Sequence, residues 1–175
     1  MNERIILAPG LNGTELTRSL ALHGVNSIGL RICGLAELAR LALMRSGISI
    51  TEDFVSPREE TAIVAEAVTG ESYFRNATYS DVQEIAAALR RMRSLIVADD
   101  EAGEMERILS QGIFEKKNAT LLAVYKRYME LLEQRKAVDA ITLVRRAIEQ
   151  SSEMNAEFIR LKEYPLPPLG EALLA

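Results

Sequence analysis

The chain has 175 residues, 48% of them hydrophobic and 26% charged, enough for one core or one compact domain with an appendage and too balanced for wholesale disorder. Its formal net charge of −4 excludes a strongly basic nucleic-acid-binding domain but leaves room for a local basic face. A single cysteine, Cys33, and a single histidine, His23, exclude an intrachain disulfide and a His/Cys metal site.

No run reaches the roughly 18 apolar residues of a spanning helix. The Asn-x-Ser/Thr matches at Asn12, Asn76 and Asn118 come with no secretory signal, so they read as chance. The expectation is a cytoplasmic chain with no membrane role.

Arg4 to Ala8 is a short β-branched and apolar run that stops at Pro9-Gly10, which predicts a buried strand and a turn. Asn12, with Glu15 three residues on, can cap a helix carrying Leu16, Leu20 and Leu22 and ending near Gly24. Residues 27–32 read as a second strand. Gly34 separates it from a helix over residues 35–44, with Gly47 as its C-terminal stop.

Beyond residue 50 the pattern is helical. Ser56-Pro57-Arg58-Glu59 is the clearest start signal, with a capping box and proline at the first helical position. Residues 72–78 read as a loop, and Ser80 with Gln83 as the start of the next helix. In that helix Val82, Ile85, Ala86, Leu89, Met92 and Ile96 follow the 3.6 period. Asp99-Asp100-Glu101 opens a short helix ending near Gly112. A long helix is expected over residues 118–135, and Asp139 caps another. After a polar break at 151–155, residues 157–162 alternate like a strand. Tyr164-Pro-Leu-Pro-Pro168 interrupts any regular element, and residues 169–175 begin a new apolar segment.

The fold class this predicts is α/β and predominantly helical: a small partial parallel sheet with an inserted all-α helical block. Residues 1–50 and 156–175 would form the partial α/β core, and residues 51–155 the insertion.

Two stretches carry a family resemblance. One is Ile5 to Thr14 followed by Leu30-Arg-Ile-Cys-Gly-Leu-Ala-Glu-Leu-Ala-Arg-Leu-Ala42; the other is Phe158-Ile-Arg-Leu-Lys-Glu-Tyr-Pro-Leu-Pro-Pro-Leu-Gly-Glu-Ala-Leu-Leu174. Together with the Val138-Asp139 helix start, this layout resembles the N-terminal region of AddB/RexB-type helicase-nuclease subunits, relatives of superfamily 1 helicases. The resemblance implies a helicase-like first domain with a helical insertion, which makes the partial sheet an incomplete P-loop-like domain. It further implies a role in DNA repair and recombination, single-stranded DNA as ligand, and a motor subunit of the AddA type as partner. The family's nuclease residues have no counterpart in this chain.

A P-loop cradles phosphates with backbone N–H groups, pairs them with Lys and holds Mg²⁺ through Ser/Thr. Aligning Gly13 with its second glycine puts Ala8 at the first glycine, Thr14 at the Lys and Glu15 at the Ser/Thr. The other alignment makes residues 9–14 a loop like helicase motif Ia, which contacts single strands in such helicases and would place Asn12 and Thr14 on DNA. A plain strand-to-helix turn is the third reading. All three imply no ATP hydrolysis and no cofactor. At the other end Glu163, without a preceding Asp, reads as a surface residue rather than a Walker B acid.

Arg90, Arg91 and Arg93 are three arginines within four residues and are expected together on the outer side of their helix, as a phosphate-contacting group. Lys116-Lys117, Lys126-Arg127, Arg135-Lys136 and Arg145-Arg146 are further basic pairs, read as solvated helix faces balanced by acids. Tyr73, Phe74 and Tyr79 can stack bases, but core packing is the preferred reading. His23 reads as a helix C-terminal cap and Cys33 as a small buried residue. The competing expectation is a protein–protein module with an exposed apolar patch, which would bring homodimerisation through that patch.

Overall fold

The computed structural model describes residues 3–7, 13–25, 29–152, 154, 156–160 and 165–175. Predicted features at Asn12, Glu163 and Tyr164 lie outside the described residues. The architecture is predominantly helical α/β, in two compact units: residues 1–50 with 143–175, and residues 51–142.

The first unit holds a three-stranded parallel sheet of β1 (Glu3–Leu7), β2 (Leu30–Cys33) and β5 (Ala156–Arg160), in the order β2-β1-β5. Strand β1 is central because its apolar run suits burial on both faces: Ile5, Ile6 and Leu7 are all buried. It pairs Ile5 with Arg31 on one side and with Phe158 on the other. At its start Glu3 accepts from Arg31 (3.2 Å) and from Arg45. These arginines hold the Glu3 carboxyl below the usual carboxylate range.

Helix α1 (Gly13–Leu22) links β1 to β2, and α2 (Leu35–Arg45) follows β2. Both helices end in a Schellman motif. After α2, Gly47 lies at φ 74°, its N–H bonds Met44 and that of Ile48 bonds Leu43. After α1, Gly24 serves the same way, and His23 at the C-cap places Nδ1 2.8 Å from the Ser19 carbonyl oxygen. Helix α8 (Pro168–Leu173) buries Leu169, and its Gly170 faces the Leu35 side chain so closely that a Cβ there would lie 2.8 Å from it. Ile5, Leu7, Cys33 and Leu38 form this unit's core with Phe158, Leu166 and Leu173 packed against it.

The second unit is built from α3 (Pro57–Val68), α4 (Tyr79–Leu95), α5 (Glu101–Ser110) and α6 (Glu115–Gln134). Helix α6 packs on α3 and α5, and α3 on α4. Its core includes Ile63, Val64, Leu89, Met105, Val124 and Leu131; each such side chain, fully buried, stabilises by roughly 1.5–3 kcal/mol. A two-residue parallel bridge, β3 (Asp53–Phe54) with β4 (Ala137–Val138), joins the segments entering and leaving the unit.

Helix α7 (Ala140–Gln150) opens in the second unit and continues in the first. The return to the sheet unit therefore precedes the polar break at 151–155. Beyond Thr142, Ala147 and Ile148 line the same hollow as Ala42, Met154 and Phe158.

Capping chemistry sets the helix starts. Ser56 and Glu59 form the expected box, with Ser56 N–H donating to Glu59 Oε2 at 2.8 Å. The next box is Thr78 with Asp81, not Ser80 with Gln83: Thr78 N–H donates to Asp81 Oδ2 at 2.7 Å, since a shorter acid also reaches back three residues. Residues 72–74, expected as loop, form a 3₁₀ turn. Helix α6 starts at Glu115, ahead of Asn118, whose side-chain amide instead donates to the Leu109 carbonyl at the end of α5 (3.0 Å). Asp139 caps α7 as expected, accepting from Thr142 N–H at 2.8 Å.

Candidate nucleic-acid interface

An α-helix advances about 100° per residue, so positions 90, 91 and 93 cannot share one face. Their environments differ accordingly. Arg93 lies four residues past Leu89 and seven past Ala86, on the core stripe of α4, and is 1% exposed. It is therefore not part of an outer basic group, which corrects the expectation.

Every face of the Arg93 guanidinium is occupied. Nε donates to Glu101 Oε1 (2.5 Å), Nη1 to Asp139 Oδ2, and Nη2 to Thr142 Oγ1 (2.9 Å). Its carbon lies 5.8 Å from the Tyr128 ring centroid. The Tyr128 hydroxyl donates to Asp139 Oδ2 at 2.6 Å. Burial pushes the Asp139 carboxyl up, but the Arg93 charge, the Thr142 N–H and the Tyr128 hydroxyl outweigh it and leave it below its usual range. Burial, with the Asp139 charge, pushes the Tyr128 phenol far up. This is a structural lock among α4, α5, α6 and the start of α7.

Arg90 is half-exposed and paired with Glu60, Nε donating to Oε2 at 3.0 Å and Nη2 to the same carboxylate. Arg91 is exposed. Thr14 is exposed in the first turn of α1, beside the equally exposed Glu15. Lys126, Arg127 and Arg135 pair with Glu106, Glu130 and Glu66, as solvated faces do.

The aromatics divide. Phe74 packs against the helical core, edge-on to Tyr73 with ring centroids 5.1 Å apart. Tyr73 and Tyr79, however, are 52% and 63% exposed, so core packing holds only for Phe74. Tyr79 is the first residue of α4, ahead of the buried stripe, which is why it stays exposed.

Two of the hollows on the surface of the helical unit bring a tyrosine together with basic residues. One, of about 600 Å³, is lined by Tyr73, Phe74, Arg75 and Lys117, but also by Asp81 and Glu84. The other, of about 350 Å³, lies between the start of α3 and one flank of α4, lined by Pro57, Arg58, Thr61, Tyr79, Gln83, Ala87 and Arg90. No carboxylate lines it. The helical unit as a whole carries 12 Lys and Arg against 17 Asp and Glu, so attraction for a polyanion there must be local.

Among the described residues no cluster of three or more His, Cys, Asp or Glu is placed to hold a metal ion. No helix among them is long and apolar enough to cross a membrane. The Cys33 thiol is buried and pushed up to about 11 by burial and the Glu37 charge. No protein-family model matches the chain, and no curated protein matches it in sequence.

Proposed function

We propose that this chain is a noncatalytic, helicase-like module of a DNA repair and recombination helicase-nuclease subunit of the AddB/RexB type, one that holds single-stranded DNA and contacts a motor subunit. The supporting observation is topological. A central parallel strand, β1, has neighbours from opposite ends of the chain, and the helical unit lies between them in sequence. In open parallel sheets ligands gather at the carboxyl ends of strands that diverge in this way. At the carboxyl end of β1 the sequence offers Thr14 and Glu15 where a motor would need Lys and Ser/Thr, so the ligand there is a strand rather than a triphosphate.

Fluorescence anisotropy of a labelled oligothymidylate at low salt tests this reading. Binding to the single strand in preference to a duplex of equal length is expected. No binding removes the DNA part of the proposal.

One observation favours the protein–protein reading as an alternative. In the sheet unit, Ala42, Ile148, Met154, Phe158, Leu173 and Leu174 line a hollow of about 480 Å³. Dimerisation in solution, measured by sedimentation and abolished by Ile148→Asp, would favour that alternative.

A further inference from the structure

We propose that the groove between the start of α3 and the flank of α4 is a nucleotide subsite for a single strand, with Tyr79 stacking on a base and Arg58 and Arg90 holding backbone phosphate. This rests on the single-strand-binding reading and adds to it a contact within the helical unit.

Tyr79, Gln83, Ala87 and Arg90 stand at i, i+4, i+8 and i+11 of α4, one stripe about 16 Å long beside the core stripe. The order along it matches what a strand presents. At one end is an aromatic ring 63% exposed, which packing does not account for. An amide, Gln83, follows, able to donate and accept against a base edge. Ala87 leaves the floor open. At the far end is a guanidinium.

Glu60 does not cancel that guanidinium's use. It engages Nε and Nη2 of Arg90 and leaves the Nη1 donors, while fixing the side chain so that less freedom is lost on binding. Across the groove Arg58 is exposed on the first turn of α3. The larger hollow beside Tyr73 fails the same test, because Asp81 and Glu84 would face the phosphates. In a unit with more acids than bases, contact chemistry rather than long-range steering carries the affinity. Two phosphate contacts give a log–log salt slope of only about −1.4.

The test uses the whole chain with a fluorescein-labelled oligothymidylate at low salt, and circular dichroism to confirm folding. Tyr79→Ala is expected to weaken binding roughly five- to hundredfold, and Tyr79→Phe to retain it, since stacking needs the ring and not the hydroxyl. Arg58→Ala is expected to weaken binding and reduce the salt slope by about 0.7. Tyr73→Ala, in the acid-lined hollow, should leave affinity unchanged. If the strand binds but Tyr79→Ala and Arg58→Ala stay within about twofold of the parent affinity, the subsite is overturned and single-strand binding stands. If no oligothymidylate binds, both fall. Thymidine monophosphate binding as tightly as the oligomer would also overturn the subsite, since it would then be a pocket for free nucleotide.

Discussion

Replacing Arg93 by methionine should destabilise the helical unit severely. The side chain is 1% exposed and satisfies Glu101, Asp139 and Thr142 at once. Methionine fills much of the volume but leaves Asp139, itself 2% exposed, with only the Tyr128 hydroxyl and the Thr142 N–H. Breaking a buried pair from one side costs about 3–5 kcal/mol, and losing the contact with the Tyr128 ring adds about 1 kcal/mol. Against a total stability on the order of 5–15 kcal/mol, that is a midpoint fall of roughly 10 °C or more. Thermal and urea unfolding followed at 222 nm measure it, with Arg91→Met as the exposed control, expected within about 0.5 kcal/mol of the parent. Adding Asp139→Asn to Arg93→Met should recover part of the loss, because the stranded charge goes and asparagine still caps α7.

The pH dependence has a definite sign. The folded Asp139 carboxyl lies below its unfolded value of about 3.9. Its contribution is present above that value and lost as pH falls through the folded one. The deficit of Arg93→Met relative to the parent should therefore be largest above about pH 4 and shrink as pH falls through the folded Asp139 value, where the parent loses the same contribution. Equal stabilities of Arg93→Met and Arg91→Met would refute the lock and return Arg93 to the surface. If the lock holds, charge reversal at Arg93 reports unfolding and says nothing about DNA.

Two further outcomes are expected. Lys136, just past α6, holds φ 50° while its carbonyl accepts from Asp53 N–H in the β3–β4 bridge (3.0 Å). Lys136→Gly removes a left-handed strain of about 1 kcal/mol, less the added freedom of the unfolded chain, and should raise the urea midpoint with the slope unchanged; a lower midpoint would contradict this. Cys33, with its thiol pushed up to about 11, should be alkylated by iodoacetamide at pH 8 at least roughly a hundredfold slower in the folded chain than in urea. Equal rates would mean that the end of β2 is not buried.

Much of the fold is legible in the sequence where a local rule is strong. The Ile5-Ile6-Leu7 run marks a buried strand, Ser56-Pro57 with Glu59 marks a helix start, and Asp139 marks another. The β3–β4 bridge is invisible because two residues a side cannot show alternation. The sequence leaves the α4 start ambiguous, because Asp81 serves as well as Glu at the third position and Ser80-Gln83 also fits the pattern. At the candidate site the error was angular. Three arginines close in sequence look like a patch, but helical geometry sends Arg93 inward, Arg90 to Glu60 and Arg91 to solvent. Arg58 and Tyr79 lie 21 positions apart in the sequence, so only the packing of α3 on α4 brings them to one groove.

The most direct test of the central claim is the affinity of the whole chain for an oligothymidylate across a salt series, with and without ATP. The expected result is binding at low salt, a log–log slope near −1.4 and no change on adding ATP. Absence of binding at the lowest salt, or an affinity that follows ATP turnover, would contradict a noncatalytic module that works by holding a single strand.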